Sequence, residues 1–309
     1  MAVVNHAPSM PNRRFSALIR ARPGDKAHQV GRPCTIVRAL VIEGGGMKAA
    51  YANGVLSAFE AADFRPWDLV VGTSAGGALA AWYSAGQARW AEGTWPYAAD
   101  PRILSYKRAL LARGPLLDHE ALLDVVYREE HPLDVEAVQA APWPVVVTAC
   151  DVDSGATVYQ DLRHGDVIAW LKATGRLPLA SGPPVEIDGR RYVDGGTVDP
   201  VPVQYALDQG ATDVTLITNK PPGPKRSDPR VLVELTARRY PALREGIVRH
   251  QELKAAGVAL ALHPPQGVRG HVIHPSRPTR VSRLGRRMDA IREAIELGRQ
   301  DGARFVDDR

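Results

Sequence analysis

A serine in the run G-T-S-A-G, Gly72 to Gly76, has the setting of a catalytic nucleophile. It follows the apolar run Leu69–Val71 and precedes the small residues Ala75–Ala85, which are typical of a helix. In a nucleophile elbow the serine lies on a strained turn between a strand and a helix, and the flanking glycines let the two elements pack closely. The helix N-terminus then favours developing negative charge. The spacing predicts a nucleophile at Ser74; the alternative is a tight turn that needed small residues.

A second group of candidate residues is the glycine run Gly44–Gly46, which ends the β-branched, apolar stretch Thr35–Glu43. Glycines between a strand and a helix let consecutive backbone N–H groups face one concavity, which makes an anion site or an oxyanion hole. A Walker loop would end in G-K-[ST], but M-K-A-A follows here. A dinucleotide fold would need an acidic residue at the end of the second strand, which instead reads V-V-G-T-S. We therefore expect no nucleotide and no cofactor.

A serine nucleophile needs a base within hydrogen-bond reach. Asp194 follows the predicted strand Arg191–Val193 and precedes two glycines, so its carboxylate could accept the serine proton directly. An aspartate of ordinary pKa is a weak base, so this role predicts that desolvation raises the pKa of Asp194. The alternative base is a histidine in the order Ser–Asp–His. Four histidines follow Asp194, none in a distinctive setting: His250, His263, His271 and His274.

Together the three motifs resemble the patatin-like phospholipase family. The resemblance covers about residues 37–219 and includes Y-A-N-G-V-L at 51–56 and V-D-G-G-T-V-D-P-V-P-V at 193–203. The early stretch and L-I-T-N-K-P at 216–221 are most similar to the small bacterial members. The resemblance implies a three-layer α/β/α sandwich with a mostly parallel central sheet. It also implies an acyl lipid or ester as substrate, with neither a catalytic histidine nor a metal.

Carried over to this chain, the resemblance implies that Ser74 is the nucleophile and Asp194 the base. It places the oxyanion donors at Gly44, Gly45 and Gly46, with the backbone N–H of Ala75 as a further donor. Ala49 stands where the family often has glycine, and Lys48 matches a common basic residue. Two other functions stay open: a serine esterase with a histidine triad, and a catalytically silent protein that binds acyl lipids or a partner.

The elements that must position these residues alternate along the chain. Apolar strands are predicted at 35–43, 69–71, 145–150, 213–218 and 271–275, with a hairpin turn at 151–156 and a strand pair near 185–193. Helices are predicted between them, and two helices with basic faces at 230–258 and 281–303. Such alternation favours an α/β fold with a mostly parallel sheet. We expect one hydrolase domain over 34–305 and a basic leader over 1–33.

Composition and charge narrow the class of protein. The net charge is +5, and residues 1–33 alone carry six basic residues against one aspartate. The leader is predicted to be solvated, with contact to anionic lipid headgroups as the alternative; basic residues without interleaved aromatic ones do not favour nucleic acid. Two cysteines argue against a disulfide framework. With no stretch of 18 apolar residues and no secretory signal, we expect a cytoplasmic protein, with peripheral membrane contact as an extension.

Overall fold

Strands from distant parts of the chain are gathered into one sheet in the computed structural model, which describes residues 37–221 and 230–309. The predicted leader, residues 1–33, and Cys34 lie outside the described residues. The strands of the described part are β1 (Arg38–Ile42), β2 (Leu69–Thr73), β3 (Val145–Asp151), β4 (Thr157–Asp161), β5 (Val185–Ile187), β6 (Arg190–Asp194), β7 (Asp213–Ile217) and β8 (Arg269–Ile273).

The sheet has the order β5-β6-β3-β2-β1-β7-β8, and β4 also pairs with β3. Strands β3, β2, β1, β7 and β8 are parallel to their neighbours in that run. The hairpin β3–β4 and the pairs β3–β6 and β5–β6 are antiparallel. The prediction of a mostly parallel sheet is confirmed, as are the predicted strands, the hairpin and the strand pair, with bounds that differ by a few residues.

Helices follow the strands on both faces of the sheet. They are α1 (Ala50–Ala61), α2 (Ala75–Ser84), α3 (Trp95–Ala98), α4 (Tyr106–Leu110), a π-helical segment (Ala121–Glu130), α5 (Val135–Gln139), α6 (Val167–Gly175), α7 (Val203–Asp208), α8 (Arg230–Arg239), α9 (Arg244–Leu262) and α10 (Met288–Asp307). Short 3₁₀ turns occupy Gly46–Ala49, Trp90–Thr94, Gly195–Thr197 and Pro241–Leu243.

Side-chain alternation along β1 explains the three layers. Leu40 and Ile42 belong to one apolar core with helices α1, α2 and α10. Ala39 and Val41 belong to a second core with α7 and α9. Successive side chains of a strand point to opposite faces of its sheet, so a strand that is apolar on both faces must be covered twice. The predicted α/β/α sandwich is confirmed.

Two predicted helix bounds are wrong. The helix expected over 230–258 is broken at Pro241 into α8 and α9. Proline has no N–H to donate and disfavours helical backbone at the residue before it, and Tyr240 accordingly has a φ of −135°. The helix expected over 281–303 begins only at Met288 and reaches Asp307. The residues before it form an irregular segment whose Arg283 carbonyl accepts the N–H of Met47 at 2.9 Å.

Candidate active site

Ser74 lies on the turn between β2 and α2, in strained backbone geometry. Its φ of 57° and ψ of −129° fall in a region that non-glycine residues rarely adopt. The chain around it is tightly packed, because a side chain at Gly72 would collide with the carbonyl of Gly76. A Cβ at Gly76 would lie 2.5 Å from the carbonyl oxygen of Ile42. Both glycines of the predicted elbow are therefore required by packing, as the sequence indicated.

A buried threonine holds the backbone of this turn. The Ser74 N–H donates to Oγ1 of Thr174 at 2.9 Å. The Thr174 hydroxyl in turn donates to the carbonyl of Thr148 at 2.6 Å. Thr174 is fully buried, so water does not compete for these bonds. The chain Ser74–Thr174–Thr148 thus ties the elbow to helix α6 and strand β3.

The Ser74 hydroxyl donates directly to a carboxylate. Its Oγ lies 2.7 Å from Oδ2 of Asp194. The other carboxylate oxygen of Asp194 accepts the N–H of Gly196 at 2.7 Å. A side chain at Gly195 would collide with the Thr148 carbonyl, so the D-G-G run packs against β3. Sequence reasoning placed Ser74 and Asp194 together, and the structure brings them into hydrogen-bond contact.

Burial determines the charge behaviour of Asp194. Only 3% of the residue is exposed. Burial raises its pKa to about 6, while hydrogen bonds from Ser74 and Gly196 and the charge of Arg283 act in the opposite direction. The predicted direction is confirmed, and its cause is the predicted desolvation. No cation forms an ion pair with Asp194 among the described residues.

The glycine run Gly44–Gly46 lines the same cavity as Ser74, Ala75 and Asp194. A Cβ at Gly44 would lie 2.8 Å from the Thr73 carbonyl oxygen, and one at Gly46, which has a φ of +55°, would collide with the carbonyl of Arg283. Within the described residues, none of the backbone N–H groups of Gly44, Gly45, Gly46 and Ala75 donates to another group of the chain. All four residues thus line the cavity that Ser74 and Asp194 also line, and their role as oxyanion donors stays a prediction.

A buried acidic residue supports the glycine run from behind. Glu43 is 2% exposed and forms an ion pair with Lys254 of helix α9. Its carboxylate also accepts the backbone N–H of Asn219 at 2.9 Å, and the Asn219 side chain donates to the Glu43 carbonyl at 3.0 Å. Sequence reasoning missed Glu43, Lys254, Thr174 and Arg283. No spacing rule could find them, because their partners lie between 100 and 236 positions away in the chain.

The cavity has a volume of about 310 Å³ and a mostly apolar wall. Trp95 contributes to this wall, whereas Trp82 and Trp170 are buried in the core and Trp90 is half exposed. The apolar lining includes Ala78, Leu79, Trp95, Ala98, Leu104, Leu117, Leu122, Leu123, Leu171 and Leu177. Such a wall can take the alkyl part of a ligand while Ser74 meets its polar end.

Two histidines reach this cavity, His119 and His250. Nδ1 of His250 lies 2.7 Å from the carbonyl oxygen of Gly196. Burial lowers the pKa of His119 to about 3, so that ring is neutral. His263, His271 and His274 do not line the cavity. Ser74 is thus paired with a carboxylate, whereas the histidine nearest the D-G-G run is paired with a backbone carbonyl.

The described residues contain neither a membrane-spanning helix nor a cluster of metal ligands. No helix within 37–221 and 230–309 is long and apolar enough to cross a membrane. In the same residues there is no group of three or more histidine, cysteine, aspartate or glutamate side chains that could hold a metal ion.

Comparison with known proteins fits this fold and site. The family model of patatin-like phospholipases matches residues 40–207, more than half of the chain. The chain therefore belongs to the patatin-like phospholipase family, which makes it, at the level of the family, a hydrolase of lipid esters. A second family model, a domain of unknown function called DUF6363, matches residues 240–308. These residues include Lys254, His250 and Arg283, which line the cavity.

Relatives among curated proteins are distant. The chain is 27% identical to the uncharacterized protein YjjU of Escherichia coli, over 87% of this chain and 76% of that protein. It is 28% identical to the uncharacterized NTE family protein Rv1063c of Mycobacterium tuberculosis, over 63% of this chain. The chain spans about half of that mycobacterial relative, 53%. Among solved structures, VipD from Legionella pneumophila aligns over 88% of this chain and 67% of its own, with a TM-score of 0.44 and 11% identity.

Proposed function

We propose that this protein is a serine lipid acyl hydrolase that cleaves acyl esters through a Ser74–Asp194 dyad and an acyl-enzyme. The observation that carries the proposal is the 2.7 Å hydrogen bond from the Ser74 hydroxyl to the buried Asp194 carboxylate. Burial raises the pKa of Asp194 to about 6, which makes it a stronger base than an ordinary aspartate yet leaves it ionised at neutral pH.

In the proposed reaction, Asp194 accepts the Ser74 proton as the serine oxygen attacks the ester carbonyl carbon. Negative charge moves to the carbonyl oxygen, where N–H groups of Gly44–Gly46 and Ala75 would stabilise it. Each such donor contributes about 3–4 kcal/mol in comparable sites. Asp194 then gives the proton to the departing alcohol, which leaves an acyl group on Ser74. Water, activated by Asp194, releases the acid and restores the serine.

The apolar wall supports an acyl chain as the group held beside Ser74. Each methylene removed from water contributes about 0.8 kcal/mol. A cavity of about 310 Å³ lined by leucines, Trp95 and alanines therefore favours esters with a chain of several carbons over acetate esters. Lys254 and Arg283 also lie in the cavity wall, and the space beside them would accept the remainder of the lipid.

The proposal is tested with a fluorophosphonate, which phosphonylates an activated serine. We expect mass spectrometry to locate the adduct on Ser74, no adduct in Ser74→Ala, and strongly slowed labelling in Asp194→Asn. His250→Gln is the matched variant for the histidine triad and should label at nearly the wild-type rate. A folded wild-type protein that does not label would instead favour the silent lipid-binding alternative, and loss of labelling only in His250→Gln would favour the triad.

A further inference from the structure

An exposed apolar tip, residues 104–117, adjoins the wall of the cavity. Residues 104–117 leave the cavity wall at Leu104 and return to it at Leu117, both of which line the cavity. Between them, helix α4 buries none of its residues. Leu110 is 86% exposed, Leu111 47% and Tyr106 54%. Two adjacent exposed leucines on a projecting segment are a costly arrangement in water unless they meet another surface.

The base of this tip is held firmly. Leu104 and Leu117 form an isolated β-bridge, and the Ser105 N–H donates to the Leu116 carbonyl at 2.8 Å. The Arg108 guanidinium donates to three backbone carbonyls, those of Arg102, Ile103 and Pro115, at 2.7–2.9 Å. The leucines are therefore presented by a structured segment whose two ends are cavity wall.

A cationic segment adjoins the tip. The Tyr106 hydroxyl donates to the carbonyl of Leu284 at 3.1 Å, and Leu284 and Arg283 both line the cavity. Residues 274–287 contain five arginines and no acidic residue. Three of them pair with Glu293 or Asp289, but within the described residues Arg283 and Arg286 form no ion pair.

The tip itself adds positive charge. Residues 104–117 contain Lys107, Arg108 and Arg113 and no acidic residue. Lys107 and Arg113 are exposed and form no ion pair with the part of the chain that the structure describes. Exposed apolar side chains beside cations that form no ion pair match the layers of an anionic bilayer, where phosphates lie above acyl chains.

We propose that residues 105–114 and the adjoining arginines form a docking surface for a bilayer of anionic phospholipid. Leu110 and Leu111 enter the acyl layer, while Lys107, Arg113 and Arg286 contact lipid phosphates. Docking in this orientation brings the side of the cavity that Leu104, Leu117 and Arg283 line towards the membrane from which a lipid would enter. The choice of a lipid surface rests on the lipid substrate proposed above.

The test measures binding of the full chain to sedimented vesicles, either of pure phosphatidylcholine or with one third phosphatidylglycerol. We expect binding to the anionic vesicles, at least tenfold weaker binding to the neutral ones, and further weakening at 0.5 M salt. The double variant Leu110→Asp/Leu111→Asp should bind anionic vesicles at least tenfold more weakly than the wild type. Lys107→Gln/Arg286→Gln should lose several-fold affinity for the anionic vesicles only.

Leu262→Asp is the matched control, because Leu262 is 44% exposed, close to the 47% of Leu111. It ends α9, about 12 Å beyond Lys254 along the helix axis. The neighbouring Ala261 carbonyl abuts Gly270 at the start of β8, at the sheet edge opposite the site. This variant should bind vesicles like the wild type. Hydrolysis of soluble p-nitrophenyl butyrate, measured without vesicles, should be unchanged by Leu110→Asp/Leu111→Asp.

Failure of docking and failure of the proposed hydrolase give different results. Wild-type binding that survives in Leu110→Asp/Leu111→Asp, or no wild-type binding to anionic vesicles, would overturn the docking surface. A dimer seen by light scattering that the double variant abolishes, without vesicle binding, would also overturn it and assign the tip to a second copy of the chain. Vesicle binding that depends on the leucines, in a protein that hydrolyses no ester, would uphold the docking surface and reject the hydrolase.

Discussion

Asp194→Asn should remove activity and at the same time stabilise the folded protein at neutral pH. The asparagine keeps an oxygen that can accept from Ser74 or Gly196, but it cannot take up a proton from the serine. General-base catalysis typically contributes 10²–10⁴-fold, so kcat/KM should fall by that order. In the wild type, kcat/KM should decline about tenfold per pH unit below about 6, the pKa to which burial raises Asp194.

The stability gain follows from the same burial. The pKa of Asp194 is about 6 in the folded chain against an ordinary value of 3.8. Between these values the folded state binds more protons than the unfolded state, so the free energy of unfolding falls as pH rises. The difference of about two pH units, at about 1.4 kcal/mol each, corresponds to about 3 kcal/mol lost by pH 7. Asp194→Asn removes this cost at pH 7–8, and its advantage should vanish below pH 4, where the wild-type carboxyl is protonated in both states.

Denaturant unfolding of wild type and variant at pH 8 and pH 4 measures this difference. The control is Asp301→Asn, because the buried Asp301 carboxylate is ion-paired with Arg304 and accepts from the Tyr51 hydroxyl at 2.9 Å. Removing that charge should destabilise the protein at pH 8, the opposite sign. The reasoning fails if Asp194→Asn is less stable than the wild type at pH 8, or if the acidic limb of kcat/KM has its midpoint near pH 4.

Three further substitutions test the elbow and the cavity. Thr174→Val keeps the side-chain volume but leaves the Ser74 N–H unpaired, so it should lower the free energy of unfolding by about 1–3 kcal/mol. It should also lower kcat more than it raises KM, and an unchanged kcat would contradict the positioning role of Thr174. Gly76→Ala places a methyl group 2.5 Å from the Ile42 carbonyl and should prevent soluble expression, whereas Gly210→Ala, with open space and a φ of 87°, should cost only about 1–2 kcal/mol. Leu122→Trp narrows the apolar cavity and should reduce kcat/KM for long-chain esters at least tenfold relative to p-nitrophenyl butyrate; equal losses for both esters would place the chain elsewhere.

The break between α8 and α9 shows that helix-favouring composition does not by itself determine where a helix ends. Residues 230–258 keep a composition that favours one helix, and Pro241 within them is the signal that should have ended it. The prediction for the residues before α10 was also wrong, because it extended that helix back to residue 281. Their arginines and leucine are compatible with a helix, but in the fold the Arg283 carbonyl is used by Met47 of the glycine run. A tertiary contact of that kind overrides local preference.

The sequence by itself determined the parts of the site that are local. A strained elbow needs small residues at fixed offsets from Ser74, and the glycine run needs a residue that can adopt a positive φ at Gly46. A carboxylate before two glycines needs only a turn. Each of these requirements can be recognised from neighbouring residues in the sequence. Even the raised pKa of Asp194 could be predicted, because a catalytic role demanded it. Only the tertiary structure decided what holds and surrounds these parts. Thr174, Lys254 and Arg283 contact Ser74, Glu43 and Met47 across 100 or more positions of sequence. Parallel strands joined by helices make this possible, because they bring distant strand ends together at one edge of the sheet.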